Sequence, residues 1–167
     1  LDHNSPVFSG SASSPADNGL VTTLSQNIVL QFTDEDQLAA GTGNIRLINV
    51  TTGEVVETFD VTSSSALTFG SKTLTINPTQ DLLVATRYAI EIDSGAVTDR
   101  AGNTFAGISN NTDYNFETIP QVVLSVNNTS VTEAGGIATL TATLQDTKGN
   151  TLVALDDVTV TLSTGGT

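Results

Sequence analysis

Short runs in which apolar and polar residues alternate recur along this 167-residue chain, and they constrain its fold more than any other feature. Residues 27–32 (NIVLQF) are a clear example, because Ile28, Leu30 and Phe32 follow one another at a spacing of two. Such alternation is typical of a β-strand that buries one of its faces. No long stretch shows the 3.6-residue apolar period of an amphipathic helix. The pattern therefore predicts an all-β fold.

Turn residues separate these runs and indicate how the strands connect. The further predicted strands of the first two-thirds of the chain are residues 45–49, 55–61, 67–76, 87–93 and 114–118. Gly53 is expected at a turn position with positive φ, and Pro78 is expected to end a strand because proline cannot continue a central ladder. About seven short strands in roughly 100 residues, with frequent turns, predict a β-sandwich with Greek-key connections.

Composition shifts divide the chain into segments. Residues 1–19 are rich in Ser, Pro, Asn and Asp and are interpreted as an N-terminal linker or an edge segment of a sheet. Residues 20–118 form the predicted first domain, residues 119–121 a linker around Pro120, and residues 122–167 a second, incomplete β-sandwich. A sandwich of about 46 residues buries too little surface to be stable alone. Either the chain was cut from a longer tandem array, or a neighbouring molecule donates the missing strands.

The charge balance limits the partners of this chain. Its 18 acidic and 5 basic residues give a formal net charge of −13, which repels nucleic acids and anionic membrane surfaces. No apolar run approaches the roughly 20 residues that a membrane span requires. Cys is absent, which excludes disulfides, thiolate metal sites and cysteine nucleophiles. Cations are the expected counter-partners.

Calcium is the ligand that the acidic loops favour, because Ca²⁺ takes six to eight oxygen ligands from carboxylates, carbonyls and water. Three groups of residues are candidate calcium ligands: Asp34, Glu35 and Asp36; Asp93, Asp99 and Asn103; and Glu133, Asp156 and Asp157. For the second group a turn is an equal alternative, in which Asp99 and Asn103 bind their own backbone. For the first group the alternative is a solvated acidic loop. No other cofactor is expected.

Catalytic arrangements are missing from the sequence. His3 is the single histidine and lies near the N-terminus, so no Ser-His-Asp arrangement can be assembled. Asp156 and Asp157 cannot flank one glycosidic bond from a strand, because successive residues point to opposite faces. We therefore predict a protein that is not an enzyme.

The order of motifs in residues 22–118 resembles the bacterial Ig-like domain of surface-layer proteins, swimming-motility glycoproteins and giant adhesins. The matching motifs are NIVLQF at 27–32, AGTGNIRL at 40–47, LTINPTQDL at 74–82, ATRYAIEIDSGAVTDRAGNTFAG at 85–107 and YNFET at 114–118. The resemblance implies an Ig-like β-sandwich on the bacterial cell surface, outside the cell.

The second segment resembles other repeats of bacterial surface proteins. Residues 124–144 (LSVNNTSVTEAGGIATLTATL) are similar to the start of a Calx-beta domain, and DTKGN at 146–150 followed by VTVTLSTGGT is similar to invasin-type Ig repeats. For the Calx-beta comparison, Glu133 and the pair Asp156 and Asp157 are the positions that could be inherited as calcium ligands.

Together these resemblances imply a non-catalytic structural module of an extracellular adhesin, surface layer or filament, stiffened by calcium. Its expected partners are neighbouring Ig-like domains of the same or another chain, including copies of itself. Two alternatives remain open: a module that binds a glycan or a protein through the loops at one end of the sandwich, and a filament subunit completed by strand donation between molecules.

Overall fold

The structure is a computed structural model that describes residues 3–33, 37–127, 139–145 and 149–152. The chain divides into two units, Leu1–Ile119 (unit 1) and Pro120–Thr167 (unit 2). The strands of unit 1 are β1 Val7–Ser14, β2 Gly19–Val21, β3 Ile28–Thr33, β4 Leu38–Ala40, β5 Asn44–Asn49, β6 Glu54–Asp60, β7 Leu67–Phe69, β8 Thr73–Ile76, β9 Arg87–Ile92, β10 Val97–Asp99 and β11 Asn115–Thr118. Those of unit 2 are β12 Gln121–Val126 and β13 Leu140–Gln145. No helix in the described ranges is long and apolar enough to cross a membrane.

Unit 1 is a sandwich of two sheets. One sheet has four strands in the order β1-β3-β8-β7, and the other has five in the order β2-β11-β9-β5-β6. The chain passes from one sheet to the other after β1, after β2, between β3 and β5, after β6 and after β8, which is the cross-sheet connectivity of an Ig-like fold. A short β4–β10 pair is added at the side. The predicted all-β, Ig-like sandwich is confirmed.

The alternating apolar and polar residues of the sequence point to opposite faces of the sheets, with the apolar residues toward the core. In β3, Ile28, Leu30 and Phe32 are fully buried, while the residues between them are half-buried. Two close aromatic pairs join the two sheets or their connections. Phe8 packs edge-on against Tyr114 at 5.4 Å, and Phe32 against Phe105 at 5.2 Å, between ring centroids. These geometries are favoured because the positive ring edge meets the negative ring face.

Two turns require glycine. Gly53 follows β5 with φ of 72°, as the sequence predicts. Gly107 has φ of 94°, and a Cβ there would lie 2.5 Å from the carbonyl oxygen of Ile92. A side chain at residue 107 would therefore be strained and would also collide with the β9 backbone.

Three sequence-based boundaries differ from the structure. Residues 67–76, predicted as one strand, form the β7–β8 hairpin, with Gly70 and Ser71 at the turn. Residues 38–40, which lie between the predicted strands 27–32 and 45–49, form β4. Within the segment 1–19, interpreted as a linker or an edge segment, residues 7–14 form β1, which pairs with β3 and is the edge strand of the four-stranded sheet. Local composition does not indicate the pairings of β1 and β4, because their partner strands β3 and β10 are distant in sequence.

The described residues of unit 2 contain one antiparallel strand pair, β12 with β13, and a bridge between Gln145 and Thr151. β12 and β13 pair from Gln121 opposite Gln145 to Val126 opposite Leu140. This register places Val122, Leu124 and Val126 on one face, and all three are close to half exposed.

Candidate functional site

Asp93 follows β9 and is tied to the beginning of β5. Its carboxylate accepts a hydrogen bond from the backbone N–H of Asn44 at 2.9 Å. It also forms an ion pair with Arg46, with Nη1 2.8 Å from Oδ1 and Nη2 3.3 Å from Oδ2. Both oxygens of this candidate calcium ligand are therefore engaged within the protein.

The charge of Asp93 is stabilised by these partners. Hydrogen bonding to Arg46, followed by the Asn44 amide, lowers the pKa of Asp93 below its ordinary value, while burial opposes the shift. The same pairing raises the pKa of Arg46. Because about a third of each side chain is exposed, at 30% for Arg46 and 34% for Asp93, water screens the pair.

Asp99 ends β10 and closes the turn that follows it. Its Oδ1 accepts from the backbone N–H of Asn103 at 2.8 Å, and its Oδ2 accepts from the Asn103 side-chain amide at 2.7 Å. The Asp99 and Asn103 backbones also pair, with N to O at 3.0 Å. These contacts are those of the turn alternative, in which an Asp satisfies the backbone of its own loop.

The ionisation of Asp99 depends on a balance of two effects. The residue is 2% exposed, and burial by itself raises the pKa of a carboxylate. Hydrogen bonds from the side chain and backbone of Asn103 and from the two backbone amides before it outweigh burial, so the pKa of Asp99 is lowered. The carboxylate acts as an anionic cap of the turn.

The structure joins some of the predicted calcium ligands and not others. It brings Asp99 and Asn103 together, whereas Asp93 binds Asn44 and Arg46. The described ranges contain no group of three or more acidic or histidine side chains placed to hold a metal ion. The remaining candidates, Asp34, Glu35, Asp36, Glu133, Asp156 and Asp157, lie outside the described residues.

A second set of contacts joins the two ends of unit 1. β2 runs parallel to β11, with Gly19 opposite Phe116 and Val21 opposite Thr118. The pair is extended by a backbone hydrogen bond from Asn18 N–H to the Asn115 carbonyl at 2.7 Å and by one from Ile119 N–H to the Val21 carbonyl at 3.0 Å. Along the chain, β2 is the first strand of the five-stranded sheet and β11 is the last, and the two are direct neighbours in that sheet.

Polar side chains add hydrogen bonds to this junction at the beginning of β11. Asn115 is 3% exposed, and its Oδ1 accepts from Arg87 Nε at 3.0 Å and Nη2 at 2.7 Å. Arg87 Nη2 also donates to Asn18 Oδ1 at 3.2 Å, and Asp17 Oδ1 accepts from the Asn115 backbone N–H at 3.0 Å. The Tyr114 hydroxyl donates to the Pro15 carbonyl at 2.7 Å. We call Asp17, Asn18, Arg87, Tyr114 and Asn115 the terminal clamp.

The far end of β11 is held by the hydroxyl of Thr118, which is 1% exposed. Its Oγ1 accepts from the backbone N–H of Thr86 at 3.0 Å and donates to the Leu83 carbonyl at 2.5 Å. Burial of the Tyr114 phenol at the other end raises its pKa far above the ordinary value, with a further contribution from the negative charge of Asp17. Tyr114 therefore stays a neutral donor.

Sequence reasoning missed the terminal clamp. Its members are spread from residue 17 to residue 115, and period-two patterns say nothing about polar contacts between distant strands. One signal was present: Asn18-Gly19 is a turn dipeptide, and Asn18 adopts a positive φ of 57°. This dipeptide indicates a turn between two strands, within the segment 1–19 that was interpreted as a linker or an edge segment.

The fold has relatives at the level of a protein family. The family described as "Bacterial Ig-like domain" matches residues 2–118 of the chain. No curated protein and no solved structure matches the chain significantly.

Proposed function

The chain belongs to the family of bacterial Ig-like domains, and from this premise we propose that it is a load-bearing structural module of an extracellular bacterial surface protein. Domains of this family are typically structural surface modules and are generally non-catalytic. The parent protein in this proposal is an adhesin, a surface layer or a filament, and the module transmits tension between neighbouring domains.

The observation that carries the proposal is the parallel pairing of β2 with β11. In a parallel pair, the N-terminal end of one strand and the C-terminal end of the other lie at opposite ends. Tension that enters before Gly19 and leaves after Thr118 therefore loads the hydrogen bonds between the strands in shear. All of these bonds must then break together, which requires more force than breaking them one at a time.

The terminal clamp adds side-chain bonds to the same junction. Bonds from Tyr114 to the Pro15 carbonyl and from Asn115 to Asp17 join the chain before β2 to the start of β11. Charge-assisted bonds such as those of Arg87 are stronger than neutral ones. Their positions resist separation of β2 from β11.

Force spectroscopy on the full 167-residue chain tests this mechanism. Because the sequence has no cysteine, paired substitutions give unique attachment points. His3→Cys with Gln121→Cys loads unit 1 through its ends, and Thr42→Cys with Thr62→Cys pulls apart the open end of the β5–β6 hairpin. We expect a higher unfolding force for the first pair, since the second opens a hairpin bond by bond. Equal forces would contradict the shear mechanism.

A matched pair of tyrosine variants tests the terminal clamp itself. Tyr114→Phe removes the bond to Pro15, and Tyr88→Phe removes a comparable bond from the Leu83 N–H at 2.9 Å, which does not join the two ends. Each should cost about 1 kcal/mol in urea unfolding. Only Tyr114→Phe should lower the end-to-end unfolding force. A larger loss of force in Tyr88→Phe would exclude the clamp as the load-bearing element.

Calcium stiffening is retained as a separate part of the proposal. It is supported by the net charge of −13 and by the acidic run Asp34, Glu35 and Asp36. We expect Ca²⁺ to raise the melting temperature of the full chain, and the combined variant Asp34→Asn with Asp36→Asn to remove this increase. Identical melting curves in calcium and in a strong chelator would eliminate the ionic part and leave the shear mechanism untouched.

Self-association through unit 2 is a second candidate function, favoured by the exposed apolar face of β12. Val122, Leu124 and Val126 are 43%, 51% and 47% exposed and lie side by side. Exposed apolar strand faces promote pairing between molecules. Sedimentation of the full chain should show dimers that dissociate on dilution and that weaken in Leu124→Thr. A monomer at all concentrations would contradict this candidate.

The glycan-binding alternative receives no support from the aromatic residues. The eight aromatic side chains of the sequence all lie in the described ranges; six are buried, and Phe8 and Phe69 are half-buried against the core. Sugar rings stack on exposed aromatic faces, and none of these eight aromatic side chains is classed as exposed.

A further inference from the structure

A groove runs beside β6 at the edge of the five-stranded sheet. It has a volume of about 480 Å³ and lies between β6 and residues 78–83, which connect β8 to β9. Its size falls within the range of ligand-binding clefts, about 300–1,000 Å³. No contact of the proposed load-bearing mechanism uses it.

The groove has apolar walls that reach the surface. Val55 and Val56 are each 48% exposed on the β6 side, and Leu83 is 43% exposed on the other. Leu47 and Tyr88, both 1% exposed, form the floor. Three exposed apolar side chains around one concave site form a patch, which marks an interaction surface better than scattered single residues do.

The charges around the groove have one sign. Glu54, Glu57 and Asp81 line it, and the described residues that line it include no Lys, Arg or His. Glu57 fixes the opposite wall, because its Oε2 accepts from the Thr79 N–H at 3.0 Å. Glu54 and Asp81 are exposed, and their carboxylates form no hydrogen bond or ion pair with another described residue. Their charge is available to a basic ligand.

The backbone of β6 provides a place for an added strand. Within the described ranges, β6 pairs with β5 alone and is the last strand of its sheet. Its register shifts between Glu57, opposite Leu47, and Val55, opposite Ile48, so Val56 is an extra residue that bulges. An extended peptide can add to an unpaired edge strand through main-chain hydrogen bonds, with side-chain pockets supplying specificity.

We propose that the β6 groove binds an extended segment of a partner protein in which basic residues alternate with small apolar residues. Alternation places the apolar side chains on one face, toward Val55, Val56 and Leu83, and the basic side chains on the other. The basic residues reach Glu54 and Asp81 at the rim. A second copy of this chain does not match this groove, because the proposed occupant alternates basic and apolar residues and the chain has only 5 basic residues in all.

The test uses a hexapeptide of alternating lysine and valine, titrated into the ¹⁵N-labelled 167-residue chain. We expect amide shifts in residues 54–57 and 79–83, together with a dissociation constant that rises as salt is added. A hexapeptide of alternating glutamate and valine is the charge control and should not bind. Shifts confined to other parts of the chain, or no binding at millimolar peptide, would overturn the proposal.

Matched charge reversals separate a site from general attraction to an acidic protein. Glu54→Lys changes the groove rim, and Glu117→Lys makes the same charge change at an exposed position of β11. We expect Glu54→Lys to weaken peptide binding about tenfold and Glu117→Lys less than about twofold. Equal weakening by both variants would show that only net charge attracts the peptide, and would overturn the site.

Backbone methylation tests the added strand. A lysine–valine peptide methylated at alternate amides keeps its charge and its apolar side chains but loses main-chain donors. The proposal expects at least about tenfold weaker binding of this peptide to the unaltered chain, since several hydrogen bonds are lost. Undiminished affinity would show that the peptide does not bind as a strand.

Discussion

In unit 1 the alternate residues of β3 are fully buried, whereas in unit 2 those of β12 are about half exposed. Ile28, Leu30 and Phe32 have 0% exposure, while Leu124 has 51%. Both strands have the same period-two pattern, so the pattern alone does not produce burial. β3 faces a second sheet across a shared core. In the described residues of unit 2, β12 and β13 form a two-stranded sheet. Alternation of apolar and polar residues places the apolar side chains on one face of a strand, and an opposing layer of structure is needed to bury that face.

The largest expected difference between the units is the cost of removing a leucine. Leu30→Ala should destabilise unit 1 by about 2–5 kcal/mol, because it leaves a cavity in a packed core. Leu124→Ala should cost less than about 1 kcal/mol, since the side chain is already half in water. Urea unfolding followed by circular dichroism measures both. Similar losses would mean that β12 is covered as completely as β3.

Tyrosine fluorescence shows in which unit each variant loses stability. The sequence has two tyrosines and no tryptophan, and Tyr88 and Tyr114 both lie in unit 1. The fluorescence transition should therefore shift in Leu30→Ala and stay unchanged in Leu124→Ala. A shift in the second variant would show that the two units unfold together.

A hydroxyl deletion is expected to have an intermediate effect. Thr118→Val keeps the shape of the side chain but leaves the Thr86 N–H and the Leu83 carbonyl without their partner. Leaving buried polar groups unpaired costs about 1–3 kcal/mol. Thr141→Val on β13 is the matched control at an exposed position and should change stability by less than about 0.5 kcal/mol. A neutral Thr118→Val would mean that other groups replace the lost hydrogen bonds.

The smallest expected effect is electrostatic and depends on pH. The pKa of Asp93 is lowered in the folded chain, so at acidic pH the unfolded chain binds more protons and stability falls with decreasing pH. The contribution is complete above the unfolded pKa of about 3.9 and is lost as the pH falls through the folded pKa. Asp93→Asn should cost about 0.5–1 kcal/mol at pH 7 and flatten this dependence.

Two measurements check the Asp93 prediction. Urea midpoints at pH 7 and pH 3 should differ less in Asp93→Asn than in the unaltered chain, while Glu117→Gln, at an exposed position of β11, should keep the full difference. Part of the acid sensitivity should persist in Asp93→Asn. Asp60 and Asp99 also have lowered pKa values, through hydrogen bonds within their own turns. A variant with unchanged acid sensitivity would exclude the Arg46 pair as a source of stability.

The central strands were predictable from sequence because burial of one face imposes a spacing of two. β3, β5, β6 and β9 begin and end within one residue of the predicted ranges. β4 and the β7–β8 turn were not predicted, and β1 falls in the segment interpreted as a linker or an edge segment. Neither β1 nor β4 shows a run of alternating apolar and polar residues, and each becomes a strand because a distant partner, β3 for β1 and β10 for β4, supplies the hydrogen bonds.

The candidate site was predictable only in part. The density of Asp, Gly and Asn in residues 93–103 correctly marked a tight connection, and Asp99 with Asn103 forms it. The same composition suggested calcium, because turn-capping and calcium binding use the same oxygen-bearing side chains. Arg46, 47 residues away from Asp93 in the sequence, is the partner that composition cannot indicate.

The sequence by itself determined the all-β class, the main strands and the acidic charge, because strand periodicity and net charge are local or summed properties of the residues. The tertiary structure decided which side chains meet. It paired Asp93 with Arg46, placed β2 beside β11, and set Glu54 and Asp81 around one groove. These arrangements depend on sheet order and register, which arise from packing of the whole core and leave no local signature in the chain.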